Sequence, residues 1–378
     1  MRVKTVTILA ALSGLLMFST AQSGEKSGEV VEIADRVANW QLDNLDSSAG
    51  IRTFIDRSAE PNGWIRAAFY IGLDRWHATA PNPRYKDAVF AMAEESEWRL
   101  RERYWHADDQ AIAQVYLALE DANIAPTREA FDQVLAMNPD NSLEFVKPKT
   151  DNTEGGCQKR WCWSDALFMA PPAWAALSRV TGDPRYVDYA IHEYLATQDY
   201  LFDKQEKLYY RDSRFFERRT EHGNKVFWSR GNGWVFAGLP LLLEQLPAGH
   251  DASEGFLETF REMAHTFKNI QTAEGLWAPS LLDFEYDPSP ETSGSAFVVF
   301  GLAWGVNRGY LDSETYLPVI KKGWHALVSA VDENGKLGWV QQVGNAPDEV
   351  RPGDSQFYGV GAFLLAATEI NELHANQH

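Results

Sequence analysis

Two kinds of helical segment alternate along the chain, and this order restricts the possible folds more than any other feature. The first kind is amphipathic, with one apolar stripe at 3.6-residue spacing, as in Phe256, Phe260 and Met263. The second kind is apolar nearly all round, which indicates a buried helix. The amphipathic segments begin near Val30, Tyr85, Arg128, Tyr186, Glu254 and Glu314, and the buried segments near Trp64, Asp109, Ser164, Gly233, Ser293 and Phe357.

Six such pairs in succession are typical of a repeat architecture, in which each helix pair buries its apolar face against its neighbours. Similar turns support the repeat, since Asn82-Pro-Arg-Tyr85 and Asp183-Pro-Arg-Tyr186 each precede an amphipathic segment. An open helical solenoid for protein binding is the alternative, but its concave face would expose inner helices that are too apolar for water. The sequence therefore predicts an all-α fold, an (α/α)6 toroid or barrel of six helical hairpins, as one domain over residues 22–378.

Charge and aromatic content restrict the ligand. The chain carries 35 Lys and Arg against 53 Asp and Glu, and its net charge of −18 repels nucleic acids and anionic membrane surfaces. Neither nucleic acid nor a membrane is therefore expected as a partner. The chain also contains 14 Trp. Aromatic faces of this kind line sugar-binding clefts, although most of these rings are expected in the core.

The N-terminus has the pattern of an export signal. Arg2 and Lys4 precede an apolar run from Val6 to Phe18, and Ser19-Thr20-Ala21 supplies small residues for cleavage. We therefore predict a signal peptide over residues 1–21 and a periplasmic or secreted mature protein. No Cys lies near the cleavage site for a lipid anchor, and no later stretch of sequence is apolar for long enough to span a membrane.

Metal and cofactor chemistry finds no support in the sequence. Cys157 and Cys162 are the only cysteines; in an oxidising compartment they could form a disulfide, which their spacing does not decide. Two cysteines alone do not make a structural zinc site. The nine His residues show no metal-ligand spacing, and the sequence lacks phosphate-loop, Gly-x-Ser-x-Gly and His-Glu-x-x-His motifs. No metal or cofactor is expected.

The loops before the buried segments hold the candidate functional residues, because the inner helices of a toroid begin at one rim and these loops form a cleft there. Their polar and aromatic side chains are His106, Asp108, Asp109, Trp161, Trp163, Asp165, Trp228, Arg230, Asn232, Trp234 and Ser293. Taken singly, Asp109, Asp165 and Ser293 are typical of helix N-caps, which accept hydrogen bonds from unpaired backbone amides.

Two clusters indicate chemistry beyond capping. Trp161 and Trp163 flank Asp165, and such aromatic walls would raise the pKa of its carboxyl group, which would stay protonated and act as an acid. Arg230 and Asn232 lie between two tryptophans, which predicts a site for an anionic, ring-shaped ligand. Arg grips a carboxylate, Asn bonds hydroxyl groups and Trp stacks on a sugar ring. The alternative partner of Arg230 is a buried aspartate.

Three motifs carry a family resemblance, and they read Trp163-Ser-Asp165-Ala-Leu-Phe-Met169, Phe227-Trp-Ser-Arg230-Gly-Asn232-Gly-Trp234 and Glu291-Thr-Ser-Gly-Ser-Ala-Phe297. They resemble glycoside hydrolase family 105, the unsaturated rhamnogalacturonyl hydrolases. Family 88, the unsaturated glucuronyl hydrolases, is similar in fold and mechanism. The resemblance implies an exported hydrolase that removes a 4,5-unsaturated uronic acid from the non-reducing end of lyase-generated oligosaccharides, of rhamnogalacturonan or ulvan type. It would act by hydrating the C4=C5 double bond.

The resemblance also implies residue roles. Asp165 matches the catalytic aspartate and would be the general acid that also activates water, with Asp109 or its neighbour Asp108 as the second acidic residue. One departure is Arg211, at a position where family members often carry histidine; arginine there could bind a carboxylate or a sulfate. The predicted substrate-binding residues are His106, Asp108, Trp161, Trp163, Arg211, His222, Trp228, Arg230, Asn232, Trp234 and Ser293.

The sequence alone leaves other functions open. An unsaturated glucuronyl hydrolase would act on glycosaminoglycan-type disaccharides. An (α/α)6 polysaccharide lyase would use Tyr and His, and His106 and His222 are available. A non-catalytic oligosaccharide-binding protein would keep the tryptophans and tolerate the loss of Asp165. For the hydrolase, the expected partner is an acidic unsaturated oligosaccharide.

Overall fold

A computed structural model describes residues 28–52, 60–137, 142–146, 156–285 and 288–376. The predicted signal peptide lies outside the described residues. Helices dominate. In the described part of the chain the strands form one short antiparallel hairpin, Phe202–Asp203 (β1) and Leu208–Tyr209 (β2).

Outer and inner helices alternate in the predicted order. In chain order the helices are 28–43 (α1), Trp64–Thr79 (α2), Pro83–Glu95 (α3), Ala107–Gln110 (α4), Ala113–Tyr116 (α5), Ala125–Ala136 (α6), Ala166–Met169 (α7), Pro171–Thr181 (α8), Pro184–Leu201 (α9), Ser229–Leu243 (α10), Ser253–Asn269 (α11), Thr292–Asn307 (α12), Ser313–Ser329 (α13) and Phe357–Ala375 (α14). The outer helices α1, α3, α6, α9, α11 and α13 keep one face in water. The inner helices α2, α4 with α5, α7 with α8, α10, α12 and α14 are buried on nearly every side.

The inner helices close into a ring. Contacts run from α2 to α4 and α5, from these to α7 and α8, and onward through α10 and α12 to α14, which packs back onto α2. At this closing contact Gly72 faces Gly361. A Cβ added to Gly72 would lie 2.3 Å from the Gly361 carbonyl oxygen, so the two helices meet through bare backbone. The predicted (α/α)6 toroid is confirmed.

The repeated turns start outer helices as predicted. The Asn82 side chain accepts a hydrogen bond from the Arg84 amide at the start of α3, and Asp183 accepts one from the Arg185 amide at the start of α9. In both turns the following proline is the first residue of the helix. An N–H group at that position has no partner within the helix, so the absence of one in proline costs nothing.

Two inner helices are interrupted, and this places the rim residues. The break between α7 and α8 falls at Pro171 and Pro172, whose rings and missing N–H groups prevent a continuous helix. The short first halves, α4 and α7, lie at the rim and carry the acidic residues of the site.

Cys157 and Cys162 form a disulfide in the segment that leads into α7, with Cα atoms 5.5 Å apart. The sequence leaves this pairing undecided, because spacing along the chain does not fix the distance in space. Among the described helices, none combines the length and the apolar character that crossing a membrane requires.

Candidate active site

Two aspartates lie at the starts of the short helices α4 and α7. Asp108 is the second residue of α4 and Asp165 directly precedes α7, and these two short helices contact each other. The side chains are 23% and 12% exposed, respectively. We call Asp108 and Asp165 the acidic pair. A carboxyl pair that is shielded from bulk water yet reachable is suited to proton transfer.

Burial shifts the titration of one member of the acidic pair, Asp108. Burial is the main cause that raises the pKa of Asp108 from 3.8 to about 7. Arg103 acts against this rise, whereas the negative charges of Asp109 and Asp165 add to it. A substantial fraction of the protein molecules therefore carries a protonated Asp108 near neutral pH, where an ordinary aspartate is fully ionised.

Asp165 does not cap α7. It occupies the N-cap position, but its side chain accepts no capping hydrogen bond from the helix. Its Oδ2 atom instead lies 3.3 Å from the Ser164 hydroxyl, which donates to it, and 3.4 Å from Nε of Arg211. The N-cap interpretation of Asp165 is therefore wrong. Its carboxyl group instead faces the Ser164 hydroxyl and the Arg211 guanidinium.

Arg211 is the cation of the site. Its carbonyl oxygen accepts a hydrogen bond from the Ser164 amide, which places the residue beside Asp165. Its Nη1 atom donates to Asp212 at 2.8 Å, and its guanidinium lies over the Phe145 ring. Within the described part of the chain, the buried Nε atom has no hydrogen bond of good geometry. Arg211 thus has donor capacity left for an anionic ligand.

Asp109 is held by Arg103. Its carboxylate is almost fully buried and accepts hydrogen bonds from the Arg103 amide (3.1 Å), Nε (3.2 Å) and Nη2 (2.6 Å). Successive helical residues point about 100° apart, so Asp108 and Asp109 face different surroundings. Of the two residues that the sequence offered as the second carboxylate, the geometry favours Asp108, and Asp109 holds the loop before α4. Asp109 is not an N-cap either.

His106 and Trp163 pack together beside the acidic pair. The N-cap of α4 is His106, whose Nδ1 atom accepts a hydrogen bond from the Asp108 amide at 3.2 Å. Its ring lies 4.8 Å from that of Trp163, and both residues are nearly fully buried. Trp161 is completely buried and packs edge-on against Tyr189. Trp163 is therefore next to the site, whereas Trp161 belongs to the core.

Arg230 is buried in the scaffold. It is 1% exposed, and its guanidinium donates to the carbonyl oxygens of Gln341 at 2.6 Å and Gln342 at 2.8 Å. The rings of Trp228 and Tyr358 cover its two faces at 4.4 and 4.7 Å. The predicted contact with a substrate carboxylate therefore needs correction, because the strong donors of Arg230 are used by backbone. The predicted alternative, a buried aspartate, is also wrong.

The other members of the same motif are structural as well. Asn232 donates to the Tyr209 carbonyl at 3.0 Å and accepts from the Tyr209 amide at 2.7 Å, which fastens β2, and the Arg211 that follows it, to α10. Trp234 is buried with its ring 4.3 Å from that of Phe297. Trp228 is also buried, and its indole donates to the side chain of Gln341.

Ser293 is not a helix cap. The N-cap of α12 is Glu291, which accepts hydrogen bonds from the amides of Ser293 and Gly294. The Ser293 hydroxyl also donates to Glu291 and is completely buried. Ser293 is therefore far better placed to fix the start of α12 than to contact a substrate.

A sequence profile of glycosyl hydrolase family 88 matches residues 33–374, nearly the whole described chain. The chain belongs to this family. The resemblance of its motifs to families 105 and 88 is thereby confirmed, and the protein is a glycoside hydrolase. The family 88 assignment agrees with the acidic pair, since hydrolysis of a glycoside needs a group that delivers a proton.

Three known proteins are similar to this family 88 chain over most of its length. An unsaturated 3S-rhamnoglycuronyl hydrolase of Alteromonas sp. (strain LOR) is 43% identical over 351 residues, 89% of this chain and 84% of that protein. A protein of the same name from Formosa agariphila is 38% identical over 83% of this chain and 85% of its own length. A solved structure named as a polysaccharide lyase is 31% identical in sequence, with a TM-score of 0.77. The alignment covers 93% of this chain and 99% of the lyase chain.

His222 of this family 88 enzyme pairs with Asp283. Its Nδ1 atom is 3.0 Å from Oδ1 of Asp283, and this hydrogen bond is the main cause that raises the pKa of the imidazole. Among the described residues, no hydrogen bond or ion pair joins His222 to Asp108, Asp165 or Arg211. Its predicted role in substrate binding stays a prediction.

Replacing Arg230 with alanine tests its structural role. We expect Arg230→Ala to lower the free energy of unfolding by about 1–3 kcal/mol, because the Gln342 carbonyl loses its guanidinium donor, whereas the Gln341 carbonyl keeps the Tyr358 hydroxyl. The Michaelis constant of the folded fraction should stay close to that of the parent. Denaturant unfolding and initial rates measure the two quantities, with exposed Arg261→Ala as the control. A raised Michaelis constant at unchanged stability would restore the ligand-binding interpretation.

Sequence reasoning missed several residues that build the site. Gln341 and Gln342 hold Arg230 from 111 and 112 residues further along the chain, and no short-range pattern indicates such a contact. Asp212 binds both Arg211 and Arg214, and Arg103 binds Asp109. The one available signal was the run of alternating charges around Arg211, which a search for paired charges would have found.

Proposed function

We propose that this family 88 enzyme removes a 4,5-unsaturated uronic acid from the non-reducing end of an oligosaccharide in which the next sugar is a sulfated rhamnose. Two observations carry the proposal: the raised pKa of Asp108, and the position of Asp165 3.4 Å from the partly buried Arg211. The names of two relatives at 43% and 38% identity supply the rhamnose and the 3S substituent, which we interpret as a 3-sulfate.

The chemistry is hydration of the C4=C5 double bond. Asp165 delivers a proton to C4, and Asp108, whose pKa of about 7 keeps a proton near neutral pH, is the store of that proton. Positive charge then develops at C5 and on the ring oxygen. Water adds to C5 and returns a proton to Asp165, which restores the acid. The hemiketal at C5 opens to a ketone, and the hemiacetal left at C1 releases the aglycone.

The substrate carboxylate is held by Arg211. A uronate needs a local positive charge in a protein of net charge −18, and Arg211 lies 3.4 Å from Asp165 with donors left over. Arg211 at this position would bind the substrate carboxylate, which is attached to C5, the carbon where positive charge develops. Arg214, which shares Asp212 with Arg211 and keeps 31% of its side chain exposed, is the candidate contact for the sulfate.

Arg211→Ala is expected to lower kcat/KM at least about tenfold, because a charge-assisted hydrogen bond contributes roughly 1.5–3 kcal/mol. Arg211→Lys should restore part of the loss, since it keeps the charge but not the planar fork of donors. The matched control is Arg218→Ala, which removes the same charge from an exposed position nearby. Equal kcat/KM for Arg211→Ala and the parent, at equal thermal stability, would contradict the assignment.

A substrate panel tests the function as a whole. Lyase-generated disaccharides of ulvan, pectic and glycosaminoglycan origin each absorb through their conjugated double bond. We expect this absorbance to fall, fastest with the sulfated rhamnose substrate. A rise in absorbance with intact polysaccharide would instead identify a lyase, the activity named for one structural relative. Binding without any change in absorbance would identify an oligosaccharide-binding protein, and fastest loss with glycosaminoglycan disaccharides would move the substrate to that class.

Export and a single domain are also part of the proposal. The pattern of Arg2, Lys4 and the apolar run that follows supports a cleaved signal peptide over residues 1–21. N-terminal sequencing of the protein from an expressing bacterium should find a chain that begins near residue 22. Limited proteolysis should release no stable half, because the inner helices of residues 22–378 bury one another around the whole ring.

A further inference from the structure

A cavity of about 270 Å³ opens outside the acidic pair, between the end of α13 and the loops that lead into α12. His325, Ala326 and Ala330 of α13 and the following loop line one side. The other residues used in the argument below are Thr272, Glu274, Phe284, Pro290 and Trp339.

Two aromatic side chains give the cavity its character. Phe284 is 46% exposed, an unusual fraction for so large an apolar ring. Trp339 is partly exposed and has a φ of +56°, in the left-handed region that costs a non-glycine residue free energy. A strained backbone that presents an aromatic side chain to a cavity indicates a binding surface.

The cavity is separate from the acidic pair but shares a wall with the scaffold of the site. The Trp339 carbonyl accepts the Thr292 amide at the start of α12. Two residues later, Gln341 accepts hydrogen bonds from Arg230 and Trp228. One face of this short segment therefore braces the motif of Arg230, and the Trp339 side chain on the other face lines the cavity.

The size and the charge of the cavity restrict the ligand. Pockets for drug-sized ligands measure roughly 300–1,000 Å³, so a cavity just below that range suits a single ring. Glu274 at the edge disfavours a uronate or a sulfate, whereas the Thr272 hydroxyl, which donates to the Leu276 carbonyl, can still accept a hydrogen bond from a sugar hydroxyl group. The aromatic faces and Pro290 favour the apolar face of a pyranose.

We propose that this cavity is a second sugar-binding site that takes one uncharged pyranose ring, with a 6-deoxyhexose preferred because its methyl group matches the apolar lining. The choice of rhamnose as the probe rests on the proposed function, whereas the site itself rests on the cavity. Such a site would hold a second sugar unit of the substrate polymer at the rim while the acidic pair acts on a chain end.

The test is a titration of the full-length Asp165→Asn protein with L-rhamnose, followed by tryptophan fluorescence and by saturation-transfer NMR. Binding should be saturable at about millimolar concentration. It should be lost in Phe284→Ala and in Trp339→Ala, each made in the same background. Because Phe284 is exposed, its replacement leaves the fold intact even if that of Trp339 does not. Tyr310→Ala, which removes a 38% exposed ring after the opposite end of α12, is the control and should bind as before.

Absence of saturable binding, or equal binding by Phe284→Ala and the parent, would overturn the proposal. Loss of binding in Arg211→Ala together with full binding by Phe284→Ala would place the sugar at the acidic pair and would equally overturn it. These results are independent of catalysis, so the proposal stands or falls separately from the proposed function. A failed substrate panel leaves the rhamnose titration interpretable.

Discussion

Asp165→Asn is expected to lower turnover by roughly 10²–10⁴-fold, the range that general acid–base catalysis contributes. Asparagine keeps nearly the same shape but has no proton to deliver to C4. The substitution should not disturb α7, because the side chain caps no helix and its neighbours are the Ser164 hydroxyl and Arg211. Substrate binding, measured by calorimetry, should therefore survive while loss of the double-bond absorbance stops.

The control for this prediction is Asp188→Asn, which makes the same chemical change at an exposed position on α9. Its turnover should equal that of the parent. A folded and pure Asp165→Asn protein that still hydrates the double bond at a rate near the parent's would remove Asp165 from the mechanism. It would leave the assignment to family 88 untouched, since that depends on the whole sequence.

The fold was predictable because its signals are periodic and repeated. Alternating amphipathic and apolar segments specify which helices face water, and six repeats make a small error in one segment harmless. Turn residues such as Asn82 and Asp183 add independent starts for α3 and α9. The closing contact of α14 on α2 had no single motif, but inner helices that are apolar on all sides leave few arrangements other than a closed ring.

The site was only partly predictable, because function depends on where one side chain points. Asp108 and Asp109 are adjacent in sequence, and only the phase of α4 decides which joins Asp165. That phase follows from the interruption between α4 and α5, which the apolar pattern does not reveal. The same limit applies to α12: sequence preference favours Ser over Glu as an N-cap, yet Glu291 caps the helix.

The Arg230 motif shows a second limit. Arginine between tryptophans is a reasonable ligand-binding pattern, and here the same rings bury the guanidinium against the carbonyls of Gln341 and Gln342. Long-range backbone acceptors leave no trace in local sequence. Arg211, which departs from the family pattern and was predicted to bind a carboxylate or a sulfate, is the arginine beside Asp165. A residue that departs from its family can be more informative about the ligand than one that matches.

Asp108→Asn is expected to lower turnover by roughly 10²-fold and at the same time to stabilise the protein above neutral pH. The folded protein holds the proton of Asp108 up to a pKa of about 7, whereas the unfolded chain releases it near 3.8. Between these values the folded state binds more protons than the unfolded state, so the stability of the parent falls as pH rises. Asparagine cannot ionise, and the variant escapes this loss.

Thermal unfolding at about pH 5 and about pH 8 measures the effect on stability, and the Tm advantage of Asp108→Asn should be larger at the higher pH. In the parent, kcat/KM should fall as pH rises through about 7, because Asp108 then loses its proton. Asp109→Asn is the matched control at the neighbouring position: it removes the partner of Arg103 and should lower Tm at both pH values. An Asp108→Asn protein with the same Tm difference from the parent at both pH values would show that Asp108 carries no retained proton, and the acidic pair would then lose its role as the proton store.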